Sequence, residues 1–213
     1  MNALRQIARL AGVWMLLCLV SGSTFANAVE TAPSADPAQV IRDATDQLLV
    51  QLQTKQETLS TDQAALQQVI ADAIAPVLDL KRATRLILGR NYRKATDEQR
   101  EQFAREFQSM LLRTYAASLL KYADDIVFEY LPEVPASRPD RRSVRTRLSY
   151  KNSPPIPVNY KLHKTDQGWL IYDVTILGVS AVVMFRNTFG EEIKRHGMAG
   201  FLERLSARTE RYY

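Results

Sequence analysis

The chain has 213 residues, a formal net charge of +5 and a single cysteine, Cys18. One cysteine excludes an internal disulfide framework and a cysteine-based metal site. The two histidines, His163 and His196, have no second ligand at metal spacing, so the pattern predicts neither a metal centre nor a cofactor.

The first 28 residues have the three parts of a secretory signal peptide. Arg5 and Arg9 give a positive start, an apolar run follows at 10–20, and the AxA sequence at 26–28 is typical of a cleavage site. The apolar run is far shorter than the roughly 20 residues that span a bilayer. We therefore expect an exported, periplasmic protein. Cleavage leaves no cysteine and lowers Lys plus Arg from 28 to 26 while Asp plus Glu stays at 23. Export and the resulting charge of +3 argue against a nucleic-acid partner.

Helices are predicted first along the exported chain. After a flexible lead-in at 29–36, Asp36 and Pro37 have the residue preferences of a helix start. Pro76 ends or kinks the second helix, and Gly89 is placed to end the third. The predicted helices before the first strand lie at about 37–55, 62–76, 81–88 and from Thr96 onward.

The fourth helix is the longest, and it opens with a capping box made by Thr96 and Gln99. Apolar and aromatic side chains recur along it at steps of three and four, at Phe103, Phe107, Met110, Leu111, Tyr115 and Leu119. Such a stripe predicts the core face of an amphipathic helix, and the same face can also wall a cavity.

From Ile126 the apolar pattern changes from helical to alternating. Turn residues separate four such runs, at 126–130, 142–150, about 158–163 and 169–176. Four consecutive strands flanked by helices predict an α+β fold in which helices cover one face of a four-stranded antiparallel sheet. We expect a single domain over 37–208, followed by a short tail at 209–213.

The stretch 169–197 joins the last of these strands to another helix. Gly178 lies between the strand and a predicted helix at 180–195, with Ser180 as its N-cap. A side chain at Gly178 is expected to push Val179 away from the sheet. Val179, Val182 and Val183 then lie at the mouth of an apolar cavity, and the surrounding sequence lacks a nucleophile elbow. A last helix is predicted at 198–207.

Five arginines form the most conspicuous charge cluster. The pattern is typical of a solvated loop and strand face. The alternative is a docking surface for an anionic lipid headgroup or an acidic partner protein, because the arginine fork suits phosphate and carboxylate. The cluster consists of Arg138, Arg141, Arg142, Arg145 and Arg147.

Two long stretches carry a resemblance to a known family. They are LDLKRATRLILGRNYRKATDEQREQFAREFQSMLLRTY and YDVTILGVSAVVMFRNTFGEEIKRHGMAGFLERL. Both resemble the MlaC family, also called the toluene-tolerance auxiliary family, of periplasmic phospholipid-binding proteins in Gram-negative bacteria. The resemblance covers nearly all of the exported chain and is most specific in the second stretch.

The resemblance implies an NTF2-like fold that encloses an apolar pocket for the acyl chains of a diacyl phospholipid. It also implies a monomeric shuttle that maintains outer-membrane lipid asymmetry. Its partners would be an inner-membrane ABC transporter complex with an MCE-domain protein, and an outer-membrane lipoprotein–porin complex. The phospholipid is cargo rather than a cofactor.

Under this resemblance, the pocket would be lined by the inner face of the sheet and by the helices around it. The candidate lining residues are Ile74, Leu78, Phe103, Phe107, Met110, Leu111, Tyr115, Leu148, Tyr160, Leu162, Trp169, Val174, Val179, Val182 and Val183.

Two other functions stay open beside the lipid carrier. An enzyme of isomerase or dehydratase type on the same fold would require an Asp–Tyr or His–Asp set over a small pocket, for which Asp79, Tyr115 and Tyr160 are the candidates. An adaptor that only holds a membrane complex together would use all the apolar positions as solid core.

Overall fold

A computed structural model describes residues 36–133, 138–151 and 153–210 of the chain. The predicted signal peptide and nearly all of the lead-in lie outside these residues, as do residues 211–213 of the predicted tail. The last helix continues to Glu210, beyond the predicted end at 207.

Six α-helices make up the helical part of the described chain. Short 3₁₀ segments, Ala75–Val77 and Gly89–Arg93, follow the third and fourth helices. The helices are α1 (Pro37–Thr54), α2 (Gln56–Thr61), α3 (Gln63–Ile74), α4 (Leu80–Leu88), α5 (Asp97–Tyr122) and α6 (Ala181–Glu210).

The helix starts confirm the predicted capping residues. Asp36 accepts a hydrogen bond from the Ala38 N–H at 2.9 Å. At the start of α5, Thr96 and Gln99 form both bonds of the capping box, with N···O distances of 3.2 and 3.1 Å. These bonds satisfy N–H groups that have no partner inside the helix, which is why polar residues at these positions fix where each helix begins.

Helix α6 has a break where the sequence predicts one. Gly197 has φ 69° and ψ 174°, which is not helical, so α6 consists of two helical segments at 181–196 and 198–210. A positive φ is readily adopted by glycine because it has no Cβ. The predicted division of this region into two helices is therefore confirmed.

The strands form one antiparallel sheet in the order of the chain. Alternation along β2 places Val144, Thr146 and Leu148 inside, and Arg145 and Arg147 outside. This part of the prediction is confirmed. The strands are β1 (Ile126–Tyr130), β2 (Arg141–Tyr150), β3 (Ile156–Thr165), β4 (Gly168–Ile176) and β5 (Val179–Ser180).

The fifth strand corrects the predicted four-stranded sheet. Leu177 and Gly178 have φ values of 51° and 82°. Positive φ at both central residues is the geometry of a two-residue hairpin turn, which folds Val179 and Ser180 back onto β4. The expected steric role of Gly178 is also wrong, because a Cβ there would meet no atom within 4 Å. Gly178 is suited to this turn by its φ rather than by lack of space.

One continuous apolar core joins the helices to the inner face of the sheet. Helix α1 contributes Ile41, Leu48 and Leu52, and its Thr45 hydroxyl lies 2.9 Å from the Tyr130 hydroxyl of β1. This arrangement confirms an α+β fold with helices on the inner face of the sheet. No helix within the described ranges combines the length and apolar character needed to cross a membrane.

Candidate functional site

The candidate lipid-lining residues fall mostly inside the fold. Met110 and Tyr115 are partly buried, whereas Val179 and Val183 are 56% and 49% exposed. The other positions are buried: Ile74, Leu78, Phe103, Phe107, Leu111, Leu148, Tyr160, Leu162, Trp169, Val174 and Val182.

Part of this set forms a continuous apolar surface on the sheet. Tyr160 of β3 is the cross-strand partner of Val174 on β4, and both are fully buried. Leu78 joins the sheet through an isolated bridge to Ile171 of β4. Cross-strand partners share a face, so these side chains present one apolar wall toward the helices.

Phe103 and Phe107 occupy a different place, between α5 and α6. The ring centroids of Phe107 and Phe185 are 4.7 Å apart, and those of Phe103 and Phe201 are 6.0 Å apart. Phe189 lies edge-on to both α5 rings. This aromatic cluster packs the two helices together, and a lipid-lining role for Phe103 and Phe107 stays a prediction.

Four exposed apolar side chains lie together where β4 turns into α6. Leu177 and Val179 are 47% and 56% exposed, and Val183 and Met184 are 49% and 37% exposed. They occupy the β4–β5 hairpin and the first turn of α6, and are called the apolar lip below. The lip contains two of the residues predicted at the pocket mouth, Val179 and Val183.

A buried carboxylate holds this hairpin and the start of α6 in place. Asp173 is 5% exposed and accepts hydrogen bonds from the Ser180 hydroxyl at 2.8 Å and from the Val182 N–H at 3.1 Å. Lys161 Nζ lies 2.8 Å from the same carboxylate. A negative charge at the N-terminus of a helix is favourable, and three donors offset the burial of the carboxylate.

Ser180 has the N-cap role that the sequence predicts, because its oxygen accepts a hydrogen bond from the Val183 N–H at 3.2 Å. Sequence reasoning missed Asp173. The signal was present, since Asp173 is the one charged residue in the strand 169–176, whose other residues are mostly apolar or aromatic.

Arg186 links α6 to the C-terminal end of α4. Its Nε donates to the Leu86 carbonyl oxygen at 2.6 Å. A Cβ placed on Gly89 would lie 3.6 Å from Arg186 Cδ, so the two segments are in contact. Arg186 thereby caps a carbonyl at the end of α4, where a positive charge is favourable. This contact joins residues 100 positions apart, and sequence reasoning did not find it.

Of the residues considered for an enzyme, Asp79 pairs with a histidine of the sheet rather than with a tyrosine. Asp79 Oδ2 lies 2.7 Å from His163 Nε2, and Asp79 Oδ1 accepts from the Arg82 N–H at the start of α4. Both carboxylate oxygens of Asp79 are thus engaged. His163 follows Leu162 in β3 and points to the opposite face of the sheet, away from the apolar wall. Burial raises the pKa of the Tyr115 phenol above its ordinary value.

Two open grooves lie on the helical surface. One, of about 400 Å³, is bordered by Lys81, Thr84, Tyr92 and Arg100. The other, of about 300 Å³, is bordered by Leu59, Leu66 and Leu120. Neither groove is lined by a residue predicted to contact lipid.

Residues 42–207 match the model of the family described as MlaC protein, which is well over half of the chain. The chain belongs to the MlaC family. The resemblance that the sequence carries is therefore confirmed.

Individual members and a solved structure are similar to this MlaC-family chain. The toluene tolerance protein ttg2D of Pseudomonas putida is 27% identical over 170 residues, which cover 78% of this chain and 77% of that protein. The intermembrane phospholipid transport system binding protein MlaC of Haemophilus influenzae is 25% identical over 147 residues, or 68% of each chain.

The solved structure is that of a phospholipid-binding protein from Ralstonia solanacearum in complex with a phospholipid. It superposes on this chain with a TM-score of 0.77 at 28% identity, covering 84% of this chain and 99% of the other.

Most arginines of the cluster in this MlaC-family chain pair with carboxylates of the chain itself. Arg138 lies 3.1 Å from Asp140, Arg142 lies 3.1 Å from Glu133, and Arg147 lies 3.3 Å from Glu129. Arg145 donates to the Pro132 carbonyl oxygen at 3.0 Å, and Arg141 lies 3.8 Å from Asp140. The contacts favour the solvated interpretation of the cluster, and a docking role stays a prediction.

Proposed function

We propose that this protein is a periplasmic carrier of diacyl glycerophospholipids. The observation that carries the proposal is the similarity to the Ralstonia solanacearum protein, which has a phospholipid bound and is covered over 99% of its length. Supporting it, the sheet of this chain presents an apolar wall toward the helices, and the apolar lip lies at one edge of that sheet.

The physical chemistry of phospholipids explains why such a carrier is needed. Moving an acyl chain of about 15 methylenes from a membrane into water costs roughly 12 kcal/mol of free energy, so two chains cost about 24 kcal/mol. A carrier reduces this barrier by offering the chains an apolar interior in place of water. The chains exchange one apolar environment for another. The pocket can therefore hold them far more favourably than water does, while the free-energy difference between pocket and membrane stays small. No catalytic step is required.

The family resemblance extends the proposal to partners and cellular role. The protein, an exported monomer with an NTF2-like cavity, would exchange lipid with an inner-membrane ABC transporter complex that contains an MCE-domain protein. At the other membrane it would exchange lipid with a lipoprotein–porin complex, and so maintain outer-membrane asymmetry.

A two-vesicle transfer assay tests the proposal. Donor vesicles contain a self-quenched fluorescent phosphatidylethanolamine, acceptor vesicles contain none, and the purified exported chain is added in increasing amounts. We expect the fluorescence to rise at a rate proportional to protein concentration, and the recovered lipid to have an unchanged mass. A rate equal to that of buffer alone would contradict carriage, and a chemically altered lipid would indicate an enzyme instead.

A further inference from the structure

The apolar lip, made of Leu177, Val179, Val183 and Met184, is more exposed than the fold of the chain explains. Its four side chains are between 37% and 56% exposed and lie within eight consecutive residues. Single exposed apolar residues are common on protein surfaces, but several together at one place indicate a contact surface.

Leu177 gives the strongest local evidence. It lies at the first central position of the hairpin turn with φ 51°, where asparagine, aspartate or glycine is favoured. It is also 47% exposed, so neither turn geometry nor core packing accounts for a leucine there. Strained and exposed residues of this kind are concentrated at sites of binding.

Two segments rich in lysine and arginine meet near the lip, at Arg186. The segments 80–96 and 174–190 contain seven lysines and arginines and no aspartate or glutamate. The net charge of the exported chain is +3, so the rest of the exported chain sums to −4. The hydrogen bond from Arg186 to the Leu86 carbonyl oxygen brings these two segments together.

We call five exposed cations of these segments the basic flank. Within the described ranges, none of them forms an ion pair with a carboxylate, in contrast to the arginines of β2. The basic flank consists of Arg85, Arg90, Arg93, Lys94 and Arg186.

We propose that the apolar lip and the basic flank dock the protein directly onto a bilayer that contains anionic phospholipid. Apolar side chains on a hairpin tip can enter the headgroup region, while flanking cations are attracted to its negative surface. An acidic protein surface would satisfy the cations but would need a hollow complementary to the lip, whereas a bilayer accommodates any small apolar tip. This inference rests on the proposed function, because docking would place the predicted pocket mouth against the membrane.

Vesicle flotation tests the docking surface. The exported chain is mixed with vesicles of phosphatidylethanolamine and phosphatidylglycerol, or with vesicles of phosphatidylcholine alone, at low and high salt. We expect flotation with the anionic vesicles, and weaker flotation at high salt because salt screens exposed charges. Flotation with neither vesicle, or equally with both, would overturn the proposal.

Leu177→Asn tests the lip without harming the fold, because asparagine suits a positive φ better than leucine. We expect this variant to bind the anionic vesicles roughly tenfold more weakly, since an apolar anchor is lost. Val127→Asn is the matched control, because Val127 is 61% exposed and lies at the opposite edge of the sheet. Equal binding by both variants would overturn the role of the lip.

Charge is tested with two paired substitutions of equal size. Arg90→Gln with Arg93→Gln should weaken binding to anionic vesicles roughly tenfold or more. Arg145→Gln with Arg147→Gln removes the same charge from β2 and should leave binding within about twofold of the unmodified protein, because β3 and β4 separate β2 from the lip strand β5. A larger loss for the β2 pair would overturn the assignment of the basic flank.

Bound phospholipid is measured on the same samples by native mass spectrometry. Protein that carries phospholipid but does not float would overturn docking while leaving the proposed function intact. Protein that floats but carries no phospholipid would support docking and contradict the proposed function.

Discussion

The two edges of the sheet expose valines to a similar degree in different surroundings. At the β1 edge, Val127 is 61% exposed, and Glu129 of the same strand pairs with Arg147 at 3.3 Å. At the β5 edge, Val179 is 56% exposed and belongs to the apolar lip, beside cations that have no carboxylate partner among the described residues. The exposure of one valine carries little information. The side chains around it, ion-paired at one edge and apolar or unpaired cations at the other, distinguish a solvated edge from a contact surface.

The largest difference between the two edges is expected in phospholipid binding, when a glutamate replaces an exposed valine at each edge. Val183→Glu should abolish phospholipid binding, because the carboxylate would face the proposed pocket mouth, where acyl chains enter. The domain should stay folded because Val183 is 49% exposed and a carboxylate there can reach water. Lipid extracted per mole of purified protein, with circular dichroism as the check on folding, measures both effects.

Val127→Glu is the control for that experiment and should keep the full amount of lipid. A folded Val183→Glu protein with undiminished lipid would place the pocket mouth elsewhere. A variant that cannot fold would contradict the exposed placement of Val183 in the apolar lip.

A second contrast concerns the carboxylates at the two edges. Asp173→Ala should lower the free energy of unfolding by about 3 kcal/mol, because Ser180 and the Val182 N–H lose a buried charged acceptor. Glu129→Ala should change it by no more than about 0.5 kcal/mol, because its ion pair with Arg147 is exposed to solvent. Urea unfolding of both variants measures the difference, and equal losses would argue against Asp173 as the anchor of the lip.

The smallest expected effect is a gain in stability at the lip. Leu177→Asn should raise the free energy of unfolding by about 0.5 kcal/mol, because asparagine tolerates the left-handed conformation better than leucine. Lys151, with φ 47°, is the matching position beyond the end of β2, near the other edge. Lys151→Asn should give a slightly smaller gain in the free energy of unfolding, because it also removes an exposed ion pair with Asp125. A clear loss of stability in Leu177→Asn would mean that Leu177 contributes to packing.

Local sequence signals were sufficient for most of the fold. Asp36, Thr96 and Gln99 act through hydrogen bonds that span only two or three residues, so their effect is legible in the sequence. Alternation along β2 was equally informative. The strand β5 was missed because its turn begins with Leu177, where asparagine, aspartate or glycine would signal a hairpin.

The site was less predictable because its contacts are not local. Two partners of the arginine cluster, Glu133 for Arg142 and Glu129 for Arg147, lie before the cluster and outside β2, so the sequence did not show that these arginines are paired. The link between Arg186 and Leu86 spans 100 positions. A residue that lines a pocket and a residue that fills a core have the same apolar periodicity, which is why the lipid-lining role of Phe103 or Tyr160 stays a prediction.

Native mass spectrometry of the protein purified from cells without delipidation tests phospholipid carriage most directly. The exported chain should appear with added masses that correspond to diacyl phospholipid, and these should disappear on activation in the gas phase to leave the unmodified chain. A spectrum that contains only lipid-free protein under gentle conditions would contradict the account.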